Sequence, residues 1–211
     1  MKNIIKVTSI ALFLSFALFG LTNKASAAKL TLYCSVEIDV CEMLEQAYEK
    51  ETGTKVAMTR ASSGETFAKI KAESSNPKGD VWFGGTGDPH LTAAQENLTA
   101  EYKSSHFNDL LPAAQNQAKN ANYKSVGIYV GALGFGYNKD LLAKKGLPAP
   151  KSWMDLTKPI YKGEIQVANP NSSGTAYTTL ATILQIFGED KGWDYMKKLH
   201  LNINTYTKSG S

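Results

Sequence analysis

Residues 29–90 read KLTLYCSVEIDVCEMLEQAYEKETGTKVAMTRASSGETFAKIKAESSNPKGDVWFGGTGDPH. Short apolar runs alternate here with helical spacing. Lys29–Tyr33, Lys55–Thr59 and Asp80–Phe83 are brief and apolar, which predicts buried strands. Glu42–Glu51 places Met43, Leu44, Ala47 and Tyr48 on one side of a helix, and Gly53 ends it. Gly64–Ser74 carries Phe67, Ile70 and Lys71 at helical intervals, and Pro89–Glu96 makes a third helix. The order β-α-β-α-β-α predicts an α/β fold: a largely parallel sheet, helices on its faces, right-handed crossovers.

Toward the C-terminus the pattern breaks and then resumes. Residues 97–122 are polar and irregular. Ser125–Asn138, SVGIYVGALGFGYN, reads as one or two extended segments carrying four glycines, which mark bends or close backbone approach. Lys139–Lys145 is a short helix, Pro148-Ala149-Pro150 a stiff turn, and Trp153–Leu156 a small helix. Glu164–Val167 is a strand, Thr175–Phe187 an apolar helix, Asp190–Leu199 another helix, and Asn202–Tyr206 a strand. Two βα units joined by a glycine-bearing extended segment imply two lobes with a hinge, and a cleft between lobes is the usual small-molecule site.

Toward the N-terminus lies an export signal. Lys2 and Lys6 form a basic start, Ile10–Leu21 is almost purely apolar, and Ala25-Ser26-Ala27 is a small-x-small cleavage site. The apolar run is about 12 residues, against the ~20 that a membrane-spanning helix needs. Cleavage before Ala28 removes Lys2, Lys6 and Lys24 and no acid, so the formal net charge of +4 falls to +1. A near-neutral chain lacks the basic face of a nucleic-acid binder. No cysteine follows the cut to accept a lipid, which points to a free periplasmic protein. The two cysteines, Cys34 and Cys41, then sit in an oxidising compartment, where close pairing reads as a disulfide.

Ligands of open α/β sheets bind beyond the carboxyl ends of the strands. The turns there are Cys34-Ser35-Val36-Glu37, Arg60-Ala61-Ser62-Ser63-Gly64-Glu65, Gly84-Gly85-Thr86-Gly87-Asp88 and Asn169-Pro170-Asn171-Ser172-Ser173-Gly174-Thr175. All carry hydroxyls, glycine or both, and three lead directly into helices. Helix N-termini present unpaired N–H groups, glycine admits close approach, and serine and threonine add neutral donors. The chemistry this suits is anion capture. Ser63, Asp88 and Ser173 read equally as simple N-caps. Glu37, Glu65 and Asp88 could line the cleft and bind sugar hydroxyls or a ligand amine.

Enzyme signatures are missing. GGTGD lacks the Lys of a phosphate loop, and no G-x-S-x-G elbow occurs. The three histidines, His90, His106 and His200, fall at a helix start, in a polar loop and at a helix end, which are structural or solvated positions.

The turns RASSGE, DVWFGGTGDPH, GALGFGYN, NPNSSGTAY and YTKSGS, in this order, resemble the solute-binding proteins of ferric-iron/phosphonate ABC importers. The likeness runs from about Leu30 to the last residue. It implies the two-lobed type II periplasmic-binding fold, no enzymatic activity and no cofactor. It also implies an inner-membrane ABC permease as partner and a monomer when full length. The implied division is a signal at 1–27, a first lobe at 28–125, a hinge crossing at 126–138 and part of a second lobe at 139–211. Members of that family run well beyond this length and the chain stops inside a motif, at Ser209-Gly210-Ser211. The resemblance therefore implies a C-terminal truncation that leaves sheet edges and apolar helix faces uncovered.

Ferric binders of this family supply a His and a Glu from the first lobe and adjacent tyrosines from the second. Here the first turn is Tyr-Cys-Ser-Val-Glu, without histidine. Fe³⁺ wants anionic oxygen ligands, whereas hydroxyls and amides suit phosphate oxygens. The cysteine-bracketed first turn, with GGTGDPH and NPNSSGTAY, looks most like the hexose-phosphate-binding subgroup. Carried over by motif, Ser35, Ser62, Ser63, Gly85, Thr86, Ser173, Gly174 and Thr175 are the expected ligand contacts, with no metal ligand among them. Ser35 is expected to donate across the cleft, Ser62 and Ser63 to hold one side of the anion, and Ser173–Thr175 to offer amides. The alternatives are ferric iron held with a synergistic anion and, from another class, a secreted phosphate-ester hydrolase.

Overall fold

The computed structural model describes residues 29–210. The signal-like segment at 1–27 and Ser211 lie outside them. The first βα units are β1 (Lys29–Cys34), α1 (Ile38–Thr52), β2 (Lys55–Arg60), α2 (Ser63–Ala72), β3 (Val81–Phe83) and α3 (Gly87–Gln95). The strands form a parallel sheet of order β2-β1-β3. Its register aligns Cys34 with Arg60 on one side and with Phe83 on the other. The three following turns therefore leave the sheet at one edge. Gly53, at φ 71°, stops α1 as its sequence implies.

The second unit holds α5 (Lys139–Lys144), β4 (Ile165–Ala168), α6 (Gly174–Phe187), α7 (Glu189–His200) and β5 (Ile203–Thr207). β4 and β5 are parallel, with Ala168 opposite Thr207. The turns after both strands again leave at one edge. Each unit has its own core. Leu32, Cys34 and Cys41 are buried in the first, under Leu30, Val36, Val56, Met58 and Phe83. Leu156, Ile183, Tyr195 and Leu199 are buried in the second, with Phe187 and Tyr195 stacked at 5.4 Å between ring centroids. Separate cores are what two lobes require.

The Cys34–Cys41 disulfide is formed, and both residues are fully buried. It ties the end of β1 to the first turn of α1. Helix α1 consequently begins four residues before the expected Glu42. Met43 and Tyr48, expected on its packed face, are exposed, Leu44 is half-buried, and Cys41 joins the core against the sheet. Trp193, Ile186, Leu111 and Val130 are also exposed among the described residues.

Other expectations need correction. The region at 97–122 contains a helix, α4 (Pro112–Asn120), with proline in its first turn. It buries only Ala118, so it has no apolar stripe to read. Trp153–Thr157 is a 3₁₀ helix capped by Ser152. Residues 125–138 join neither sheet and form no ladder. An extended run becomes a strand only when a neighbour takes up its backbone groups. Side chains of the run touch both units. The Tyr129 hydroxyl bonds Gly85 in the first, and Phe135 meets Trp153 edge-on in the second, with 5.2 Å between centroids. No helix among the described residues is long and apolar enough to cross a membrane.

Candidate functional site

The carboxyl edges of the two sheets face one another across a cleft of about 560 Å³. Ser35, Ser62, Ser63, Gly85, Thr86, Ser173, Gly174 and Thr175 all line it, joined by Val36, Glu37, Val40, Phe83, Tyr129, Ser209 and Gly210. Every expected contact residue is thus brought to one place. Among the described residues no Lys, Arg or His lines this cleft, and Glu37 is the one carboxylate that does. A larger hollow, about 1190 Å³, runs along β3 and meets the cleft at Phe83, Gly85, Thr86 and Tyr129. The hydroxyl and helix-start donors that converge from both lobes lie in the smaller cleft.

The glycine turn is seated deep. Gly84 and Gly85 have φ of +77° and +89°, where side chains are strained. A Cβ on Gly84 would lie 2.5 Å from Val36 Cγ1, and one on Gly85 would overlap the Ser63 hydroxyl. This proximity lets the Thr86 amide donate to Ser63 Oγ at 3.2 Å. Ser63 therefore accepts from its neighbour, while its own proton has no acceptor among the described residues. Thr86 Oγ1 is buried without a partner. Both oxygens converge on the α-carbon of Gly174, whose missing side chain is the space between them.

On the opposite wall α6 begins. Ser173 Oγ caps it by accepting from the Ala176 amide at 3.3 Å. The Gly174 and Thr175 amides precede the first intrahelical bond and have no acceptor among the described residues. The cleft thus gathers two unspent hydroxyls from the first lobe, that of Thr86 buried against Gly174, and a helix N-terminus from the second. An oxyanion fits this set without a counter-cation.

Ser35 and Ser62 differ from their neighbours. Trp82 Nε1 donates to Ser35 Oγ at 3.0 Å, and Ser35 Oγ shares a 3.1 Å bond with Thr66 Oγ1. With Thr66 donating to the Ala61 carbonyl, the Ser35 proton goes to Thr66. Ser35 then faces the cleft as an acceptor, suited to a ligand hydroxyl. Ser62 lies 2.8 Å from Glu65 Oε2 and 2.6 Å from the carbonyl oxygen of Ser172. Its proton serves contacts within the protein. The Ser62 hydroxyl, opposed by burial and aided by Lys208, holds the Glu65 carboxyl below its ordinary range.

Residues that sequence reasoning passed over also shape the site. Tyr129 accepts from the Gly85 amide and donates to the Gly85 carbonyl, both at 2.8 Å. Nothing in a glycine-rich apolar run marks that tyrosine. His90 stacks on Trp82 at 3.6 Å and lies 2.8 Å from the Gly84 carbonyl. A carbonyl only accepts, so His90 Nε2 carries the proton. Burial lowers the His90 pKa, against the Gly84 bond, and favours this neutral form. It supports the glycine turn from behind, in keeping with a structural role. No cluster of three metal-ligating side chains occurs among the described residues.

A family model described as bacterial extracellular solute-binding protein matches residues 83–210. An uncharacterised protein of Haemophilus influenzae is 44% identical over 97% of this chain and 61% of its own length. Among solved structures, the periplasmic binding protein AfuA from Actinobacillus pleuropneumoniae, with exogenous fructose-6-phosphate bound, superposes with a TM-score of 0.84. It is 46% identical over 88% of this chain and 58% of its own. The periplasmic binding protein P5PA gives 0.83 at 42% identity, over 86% of this chain and 58% of its own. The chain spans about three fifths of these relatives, 58% to 61%. Two lobes around an interlobe cleft are the type II periplasmic-binding architecture, and the chain belongs to the bacterial extracellular solute-binding proteins.

Proposed function

We propose that this chain is the capture component of an ABC importer and takes a phosphate-bearing small molecule, of the sugar-phosphate class, into the interlobe cleft. One observation carries the reading. Unspent, uncharged donors from both lobes, the Ser63 hydroxyl and the Gly174 and Thr175 amides with the buried Thr86 hydroxyl beside them, meet in one cleft that no cation lines among the described residues. Ser35 as an acceptor and the Glu37 carboxylate suit hydroxyls at the other end of the ligand. AfuA, holding fructose-6-phosphate, is the similar structure that supports the ligand class. The lobes are residues 28–125 and 139–211, and 126–138 is the hinge crossing between them. The protein works outside the inner membrane, delivers to a permease, acts as a monomer and turns nothing over.

Ferric iron is disfavoured by the same lining, since one carboxylate and one phenol already bonded at Gly85 make a poor set of anionic ligands. The test is titration calorimetry with fructose 6-phosphate, fructose and inorganic phosphate, on the parent and on a Ser63→Ala/Thr86→Val double variant. The phosphate ester is expected to bind the parent and to weaken at least tenfold in the variant, each hydrogen bond to a charged group being worth about 1.5–3 kcal/mol. Equal heats for both proteins, or a visible tyrosinate band with ferric salt alone, would sink the proposal.

A further inference from the structure

The start of α2 is already occupied, by the protein itself. The carbonyl oxygen of Ser172, on the second lobe, accepts from the Gly64 amide at 3.0 Å and lies 2.6 Å from Ser62 Oγ. A backbone oxygen of one lobe thus sits where an anion would sit on a helix of the other. Gly64 is a glycine in a helical turn, and its own conformation does not demand one. Its neighbours do. A Cβ there would lie 2.6 Å from Ser172 O, 2.8 Å from Asn171 O and 2.9 Å from Ser172 C, all backbone atoms of the second lobe. Real side chains do not approach so closely, and backbone cannot swing aside as a side chain does. Two further ties lie at the same rim. Arg60 donates to Ser209 Oγ at 3.1 Å, and Lys208 faces Glu65 at 3.6 Å.

We propose that the Ser172 carbonyl on the α2 N-terminus is the latch that holds the lobes closed, and that Gly64 is a positioning residue which sets ligand affinity without touching the ligand. The latch and the ligand site divide the helix starts between them. α2 receives the partner lobe's carbonyl, and α6 remains open to the anion. A ligand captured in the cleft then adds to a contact that the lobes make between themselves.

The consequence for affinity rests on the capture function proposed above; the consequence for shape does not. Small-angle scattering of the ligand-free parent chain is compared with Gly64→Ala and, as control, Gln46→Ala. Gln46 is exposed on α1, away from the second lobe and from the hinge crossing. Alanine favours a helix interior over glycine, so far-UV circular dichroism of Gly64→Ala is expected to match the parent. Its radius of gyration is expected to rise while Gln46→Ala stays at the parental value. Scattering of Gly64→Ala superimposable on the parent overturns the latch. Should that variant fold poorly, Ser62→Gly keeps a tolerated N-cap and removes the hydroxyl contact. It is expected to open the chain in the same sense, and an unchanged radius there overturns the latch equally. In a second arm fructose 6-phosphate is expected to bind Gly64→Ala about tenfold more weakly, the loss of one to two ordinary hydrogen bonds. A parent that binds no phosphate ester removes the proposed function and leaves the scattering comparison standing.

Discussion

Replacing Gly174 by alanine separates the cleft from the stability of the lobe that carries it. Gly174 is buried at the first position of α6. Its φ is not in the left-handed region, and alanine in a helix is up to about 1 kcal/mol better than glycine. The second lobe is therefore expected to melt within about 1 kcal/mol of the parent. The cleft is expected to fail. The new methyl would overlap Thr86 Oγ1 and lie 2.9 Å from Ser63 Oγ and 3.1 Å from Ser63 Cβ. Either both hydroxyls rotate away or the lobes part, and in both cases two donors leave the anion. At about 1.5 kcal/mol or more for each bond to a charged oxygen, the loss is about 3 kcal/mol, on the order of a hundredfold in Kd. Titration with fructose 6-phosphate, beside a thermal melt, measures both quantities. Affinity within threefold of the parent at an unchanged melting temperature would refute the role of Gly174 in keeping Ser63 and Thr86 in place at the cleft. A collapsed melt would refute the claim that the glycine serves the cleft alone.

Two predictions concern the second lobe. Buried Asn202 donates from Nδ2 to the carbonyls of Leu156 and Lys158, both at 2.8 Å. Asn202→Ala orphans both acceptors and is expected to cost about 2–4 kcal/mol, read from the urea midpoint; a shift worth under 1 kcal/mol would count against that role. Burial pushes the Tyr195 phenol up to about 12, while its hydroxyl donates to the Trp153 carbonyl at 2.8 Å. The folded state thus keeps a proton that the unfolded chain releases near pH 10, so this contribution is complete below pH 10 and is lost between about 10 and 12. Tyr195→Phe should lower stability by about 1 kcal/mol at neutral pH and flatten the alkaline fall; melts from pH 8 to 12 that run parallel for both proteins would contradict this.

Much of the site was legible because parallel βα units obey a strong geometric rule. Once Lys29–Tyr33, Lys55–Thr59 and Asp80–Phe83 are strands of one sheet, the turns after them must share an edge. Hydroxyl and glycine residues in those turns then name the lining, and all eight expected residues are in the cleft. Helix α4 escaped because it buries a single alanine, and periodicity reports only what a helix buries. The start of α1 escaped because the disulfide winds the turn after β1 into the helix. Tyr129 escaped because the partner of an extended tyrosine is a matter of chain path.

Residue type and order therefore settle local conformation, which strand ends carry donors, and which residues can meet an anion. They do so because propensity, capping and turn chemistry act over a few residues. Which of those donors is still free is decided across the fold. The Ser62 hydroxyl and the Gly64 amide were equal in kind to those of Ser63 and Gly174, yet the Ser172 carbonyl, 110 residues from Ser62, takes the Gly64 amide and competes with Glu65 for the Ser62 proton. A hydrogen-bond donor can be spent only once, and no local pattern records a partner that far along the chain.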